Sequence, residues 1–254
     1  MILLLLLALS QFDPNFGPKF AEAVRLMQQK RFAEAASLLE VLVKDKPTIA
    51  QFHHALGVAY AANNEVDRSL GPLKTACELY PRYSEAPACL EYGQVLHAFK
   101  RDEEALLAYG RIGKSYEDAA LYVARAVSLE GVGKMRQADI DYRAALSESS
   151  LRPRISALVQ LRYAMFLHRQ GSLEASLWQF TQVLRKQPNL GPAWKEKANL
   201  LLDLGRERES AEAMESALAF GERNRESLMQ LSKLYAKLGD KEKSDKLRLE
   251  AELP

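Results

Sequence analysis

The sequence lacks an excess of either charge. Lys and Arg total 35 against 33 Asp and Glu, with the two signs interspersed. A nucleic-acid binder carries a basic patch or stripe, so that class of partner is excluded. The chain also lacks an apolar run long enough to cross a bilayer: the longest, Ile2 to Leu9, is roughly half the length a membrane-spanning helix needs, so no stable membrane span is expected. Catalytic signatures are missing too. Gly131-Val-Gly133-Lys134 has neither the glycine spacing nor the Ser or Thr of a phosphate loop. His53 and His54 are adjacent and so point to different sides of a helix, and with His97 and His168 they form no complete ligand set. No catalytic residue, metal site or cofactor is expected, and the chain is read as a non-enzyme.

What is present begins with that apolar run. Ala8 and Ser10 give a small-x-small pattern before a cut at Gln11, which makes residues 1–10 a candidate signal peptide, although no Lys or Arg precedes the run. The alternative is an apolar helix that caps the first folded unit. Export, to a periplasmic or extracellular space, is the expectation; a cytoplasmic location is expected instead if residues 1–10 are retained.

Small residues then recur at a nearly constant interval. Ala35, Ser69, Ala105, Ala138, Ser176, Ser210 and Ser244 are separated by 34, 36, 33, 38, 34 and 34 residues. Most are followed by a large apolar residue four positions on and a small or apolar one three beyond, and in several units by Pro, as at Pro47, Pro81 and Pro188. Upstream of each lies a second amphipathic stretch, such as residues 53–60, 193–205 and 228–239, and apolar spacing of three and four makes both stretches helices. A fixed period of this length is the mark of a repeat architecture. Seven units with two helices each predict fourteen helices and no strand between residues 16 and 252.

Leu56, Gly57 and Tyr60, then Ser69, Leu73, Ala76 and Pro81, resemble the tetratricopeptide signature, and Trp194 falls on its tryptophan. The resemblance covers about residues 16–254. It implies an all-α solenoid in which antiparallel helix pairs stack into a right-handed superhelix, with Gly57, Gly93, Ala126, Ala164 and Ala198 where helices touch. Gly133, Gly171, Gly205 and Gly239 fall at the turn within a pair, where a left-handed conformation suits glycine. Repeats 1–4 occupy residues 16–152 and repeats 5–7 with a capping helix residues 157–254, as one continuous array. Four extra residues, Pro153 to Ser156, precede repeat 5 and mark a site for a bend.

The resemblance also implies that first helices line a concave face that holds a protein or peptide partner. In repeats 1–4 that stripe reads Phe20, Val24, Met27, His54, Val58, Leu90, Gln94, His97, Val123 and Val127, a mostly apolar row expected to face solvent in an empty groove. In repeats 5–7 it turns polar, with Arg162, His168, Arg169, Lys195, Asn199, Asp203, Lys233 and Lys237. Lys195 and Asn199 lie one turn apart, like the pair with which chaperone-tail-binding members grip a carboxylate. Their default reading is a solvated stripe. Trp178 sits on an outward position of a second helix, as a convex contact or as cover for the insertion before repeat 5. Cys77 and Cys89 flank the turn at Pro81; two buried small apolar residues is the favoured reading, and a bridge, which requires export and Cα atoms within about 7 Å, is the alternative. The function expected is that of a scaffold or adaptor; an accessory module of an envelope enzyme or assembly machine, or a cytoplasmic co-chaperone, are the alternatives.

Overall fold

The computed structural model describes residues 17–79, 88–112, 118–149 and 153–252. The candidate leader and Pro81 lie outside them. Among the described residues there are fourteen α-helices and no strand: α1 Pro18–Gln28, α2 Phe32–Asp45, α3 Ala50–Ala62, α4 Val66–Leu79, α5 Ala88–Ala98, α6 Asp102–Gly110, α7 Ala119–Gly131, α8 Met135–Ser149, α9 Pro153–Arg169, α10 Leu173–Lys186, α11 Gly191–Asp203, α12 Glu207–Ala219, α13 Arg225–Leu238 and α14 Lys241–Glu252. The four additional residues before repeat 5 extend α9, the longest helix described, at 17 residues.

The same turn joins the two helices of every pair. The residue five positions before each small site has positive φ: Lys30, Asn64, Lys100, Gly133, Gly171, Gly205 and Gly239, all between 61° and 86°. One residue later an N–H reaches back across the helix end, as Arg31 to the Leu26 carbonyl at 2.9 Å and Arg206 to Leu201 at 2.8 Å. This is the Schellman closure, which satisfies carbonyls that the helix leaves orphaned. The sequence marks four of these turns by glycine. At Lys30 and Lys100 the chain accepts a conformation that disfavours an L side chain by about 1–2 kcal/mol, because the pair geometry requires it.

The small sites are where helices touch. Ala35, Ser69, Ala105, Ala138, Ser176 and Ser210 are fully buried. Twelve residues upstream of Ser176 and Ser210 lie Ala164 and Ala198, whose carbonyls accept from the serine hydroxyls at 2.8 and 2.7 Å. A Cβ added at Gly57 would stand 2.5 Å from Leu73 Cγ, and one at Gly93 2.2 Å from the Tyr109 ring. Four positions after each small site comes a large core residue: Leu39, Leu73, Tyr109, Tyr142, Phe180 and Met214, each at 2% exposure or less. In α14 that position is Arg248, which is exposed; among the described residues no later pair packs upon it.

The helices form two compact units, residues 1–141 and 142–254, which divide within α8. In each unit helices pack on their neighbours in sequence, and first helices of successive pairs also touch, α1 on α3 and α5 on α7 in the first unit and α9 on α11 in the second. A tyrosine clamps two such joints. Tyr60 of α3 donates to Glu40 of α2 and accepts from Arg68 of α4; its phenol is pushed up to about 12 by burial and by the Glu40 carboxylate. Tyr235 of α13 repeats the arrangement with Glu215 and Lys243.

Cys77 of α4 and Cys89 of α5 form a disulfide with Cα atoms 4.6 Å apart, which corrects their reading as unbridged apolar residues. The distance is set by how α4 and α5 pack, which sequence spacing alone does not specify.

Candidate functional site

The residues expected on the inner stripe divide sharply by exposure. In the first unit Phe20, Val24, Met27, His54, Val58 and Leu90 are buried, at 0–6% exposure, so the expectation that they face solvent is corrected. Phe20, Val24, Met27 and Val58 belong to one core cluster with Leu39, Ala55 and Tyr60, and the Phe20 ring lies 5.1 Å from that of Phe52. All residues of α3 from Ala50 to Ala61 are buried, so this helix has no open side. His54 Nε2 meets Glu91 Oε2 at 2.6 Å, joining α3 to α5. Gln94, His97, Val123 and Val127 are half-buried. His97 is held by Asp102, whose carboxylate occupies the space where a Cβ on Gly131 would sit.

The second unit carries 19 Lys and Arg against 15 Asp and Glu, and its inner row remains accessible. Arg162, Arg169 and Lys233 are exposed, and so is Leu158, one helical turn before Arg162 on α9. Lys195 Nζ pairs with Glu226 at 3.2 Å, Asn199 accepts from Gln230 at 2.6 Å, His168 meets Asp203 at 2.7 Å and Lys237 meets Glu207 at 2.5 Å. The first three contacts tie a first helix to the first helix of the next pair, and the Lys237 contact ties α13 to α12, the second helix of the preceding pair. Both members of the Lys195 and Asn199 pair are thus engaged by α13. On the other side of α11, burial pulls the Lys197 ammonium below its usual range, with the Trp194 ring 5.2 Å away.

Outward faces hold residues that the sequence reading passed over. Leu107 and Ile140, each two positions after its small site, are 73% and 61% exposed. Trp178, which the sequence did single out, has the same offset in the second unit and is 58% exposed. Comparing these three offsets was the available signal. Beside Trp178 in the chain, Gln179 lines a shallow groove of about 380 Å³ with Arg143, Leu146 and Tyr163. Among the described residues no group of His, Cys, Asp or Glu is arranged to hold a metal ion, and no helix is long and apolar enough to cross a membrane.

Residues 20–84 match the tetratricopeptide repeat family model. No curated protein matches the chain in sequence. Solved structures match over much more of it. A tetratricopeptide repeat protein from Parabacteroides merdae is similar over 93% of both chains, at 14% identity and a TM-score of 0.71. PilF from Pseudomonas aeruginosa covers 79% of this chain and 89% of its own, at 17% identity and a TM-score of 0.65. YrrB, a tetratricopeptide protein with an unusual peptide-binding site, covers 76% and 97%, at 16% identity and a TM-score of 0.55. With the repeated turn, the buried small sites and these likenesses, the fold is an all-α solenoid of the tetratricopeptide type, and residues 20–84 carry the family's sequence pattern.

Proposed function

We propose that the protein is a non-catalytic scaffold that holds an acidic peptide segment of a partner protein on the inner row of its second unit. The observation that carries this reading is the accessible row of Leu158, Arg162, Arg169 and Lys233, in a unit with excess positive charge, while the corresponding row of the first unit is buried or half-buried. Exposed cations beside an apolar side chain suit a segment that supplies carboxylates and one apolar anchor; complementary charge steers the encounter and discriminates against basic partners. Peptide binding by YrrB supports the use of such a fold in this way. The test is Arg162→Glu with Lys233→Glu. Capture of partners from the native cell, identified by mass spectrometry, and binding of acidic peptides derived from them should fall at least about tenfold, as expected when two like-charge contacts replace attractive ones. The thermal melt should stay within about 1 kcal/mol of wild type, since both sites are exposed. Undiminished binding would remove the row from consideration.

The protein is read as exported, acting in the cell envelope or outside the cell. The Ile2–Leu9 run and the Cys77–Cys89 bridge both favour this, because disulfides persist in oxidising compartments. Intact-mass measurement on the native protein should place its first residue near Gln11. A cytosolic protein that retains Met1 would overturn the reading.

A further inference from the structure

The disulfide stands at the end of a helix whose interior is itself interrupted. α4 contains Gly71 and Pro72 in its interior. Proline there supplies no N–H to the helix ladder and crowds the preceding turn, and glycine adds backbone freedom. The bridge leaves the last turns of this helix at Cys77 and enters the first turn of α5 at Cys89, so it ties the second helix pair to the third. Two residues beyond Cys89, Glu91 makes the buried contact with His54 of α3 across the same boundary.

We propose that oxidation of Cys77 and Cys89 is a lock on this joint, which fixes the start of α5 and thereby holds Glu91 against His54. The chemistry is thiol–disulfide exchange with a disulfide-carrying oxidant. The thiolate of one cysteine attacks the oxidant's disulfide and expels one of its thiolates. The second cysteine's thiolate then attacks the mixed disulfide and releases the other. Two electrons pass to the oxidant, two protons leave the chain, and one S–S bond is formed in the protein for the one broken. Both cysteines are buried, at 1% and 2% exposure, so a dithiol cannot reach the sulfurs for the reverse attack without local opening. Oxidation therefore acts once, during folding, and the closed joint resists reduction afterwards. In the reduced chain the end of α4 and the start of α5 open together, and the inner face of the first unit loses its polar tie.

Two measurements on the full chain test this. Protein isolated from an oxidising compartment is denatured and treated with N-ethylmaleimide. No adduct is expected, and two after reduction in denaturant; two adducts without reductant would overturn the proposal. Hydrogen exchange is then compared among the oxidised protein, the reduced protein and Cys77→Ala with Cys89→Ala, which keeps small apolar side chains in place. Amides of α5 should exchange at least about tenfold faster without the bridge, and the melting temperature of the first unit should fall by about 6–10 °C, as for removal of a short-loop disulfide. Amides of α11 and α12 should be unchanged. Equal exchange in α5, or acceleration spread evenly over both units, would overturn the lock. If the double variant does not fold, the oxidised and reduced wild type supply the same comparison.

Discussion

Val58→Glu should unfold the first unit. Val58 is 1% exposed and stands on α3 within the cluster that includes Phe20, Met27, Leu39 and Phe52. A carboxylate introduced there has to be desolvated among apolar side chains, with no cation in that cluster to compensate it. An uncompensated buried charge costs about 3–5 kcal/mol, and loss of the valine's packing adds to this. The expected result is a destabilisation of about 4 kcal/mol or more in a denaturant melt, enough to abolish the native first unit at ordinary temperature. Val127→Glu on α7 is the matched control. Val127 is half-buried, so its glutamate can keep the carboxylate in water, and the cost should be about 1 kcal/mol. If Val58→Glu melts like wild type, the row is an open groove and not core.

That contrast shows where sequence reading stops. Which residues lie on the inner side of a first helix follows from the spacing of Ala23, Gly57, Gly93, Ala126, Ala164 and Ala198, twelve positions before the small sites, and the structure buries them all. What lies against that side is not given by spacing. Phe20, Val24, Met27 and Val58 are apolar whether they line a groove or fill a core, so their identity is silent on the difference. His54 is polar and invites a groove reading; its partner Glu91 stands 37 residues away on another helix. The turns divide in the same manner. Glycine announces four of them, whereas Lys30, Asn64 and Lys100 adopt the left-handed conformation because the helix pair around them demands it. The disulfide was undecidable for a related reason: the cysteines lie 12 residues apart around a turn, and only the packing of α4 on α5 sets their separation. In the second unit the polar character of the inner row was legible from Arg162, Arg169 and Lys233. The engagement of Lys195 and Asn199 by the next pair was not, since it depends on Glu226 and Gln230 across a repeat boundary.

Phe180→Ala and Arg248→Ala change the same position of the repeat and should differ by about 3 kcal/mol or more in cost. Each residue lies four positions after its small site, Ser176 or Ser244. In α10 the position is fully buried: Phe180 packs with Ala164 and Leu200 between its own first helix, α9, and that of the following pair, α11. Truncation there leaves a ring-sized void in an interior that cannot collapse without shifting two helices, and buried Phe→Ala changes cost about 3–5 kcal/mol. In α14 no further pair follows among the described residues, and Arg248 is exposed with a surface contact to Asp245 at 3.1 Å. Its loss removes one screened ion pair between neighbouring turns and should cost no more than about 0.5 kcal/mol. Urea midpoints measured at unchanged slope give both values. The difference follows from what covers the position and from the side chain that covering selects, since the offset from the small serine is the same in both helices. A cost at Arg248 approaching that at Phe180 would mean that α14 is covered as the earlier second helices are.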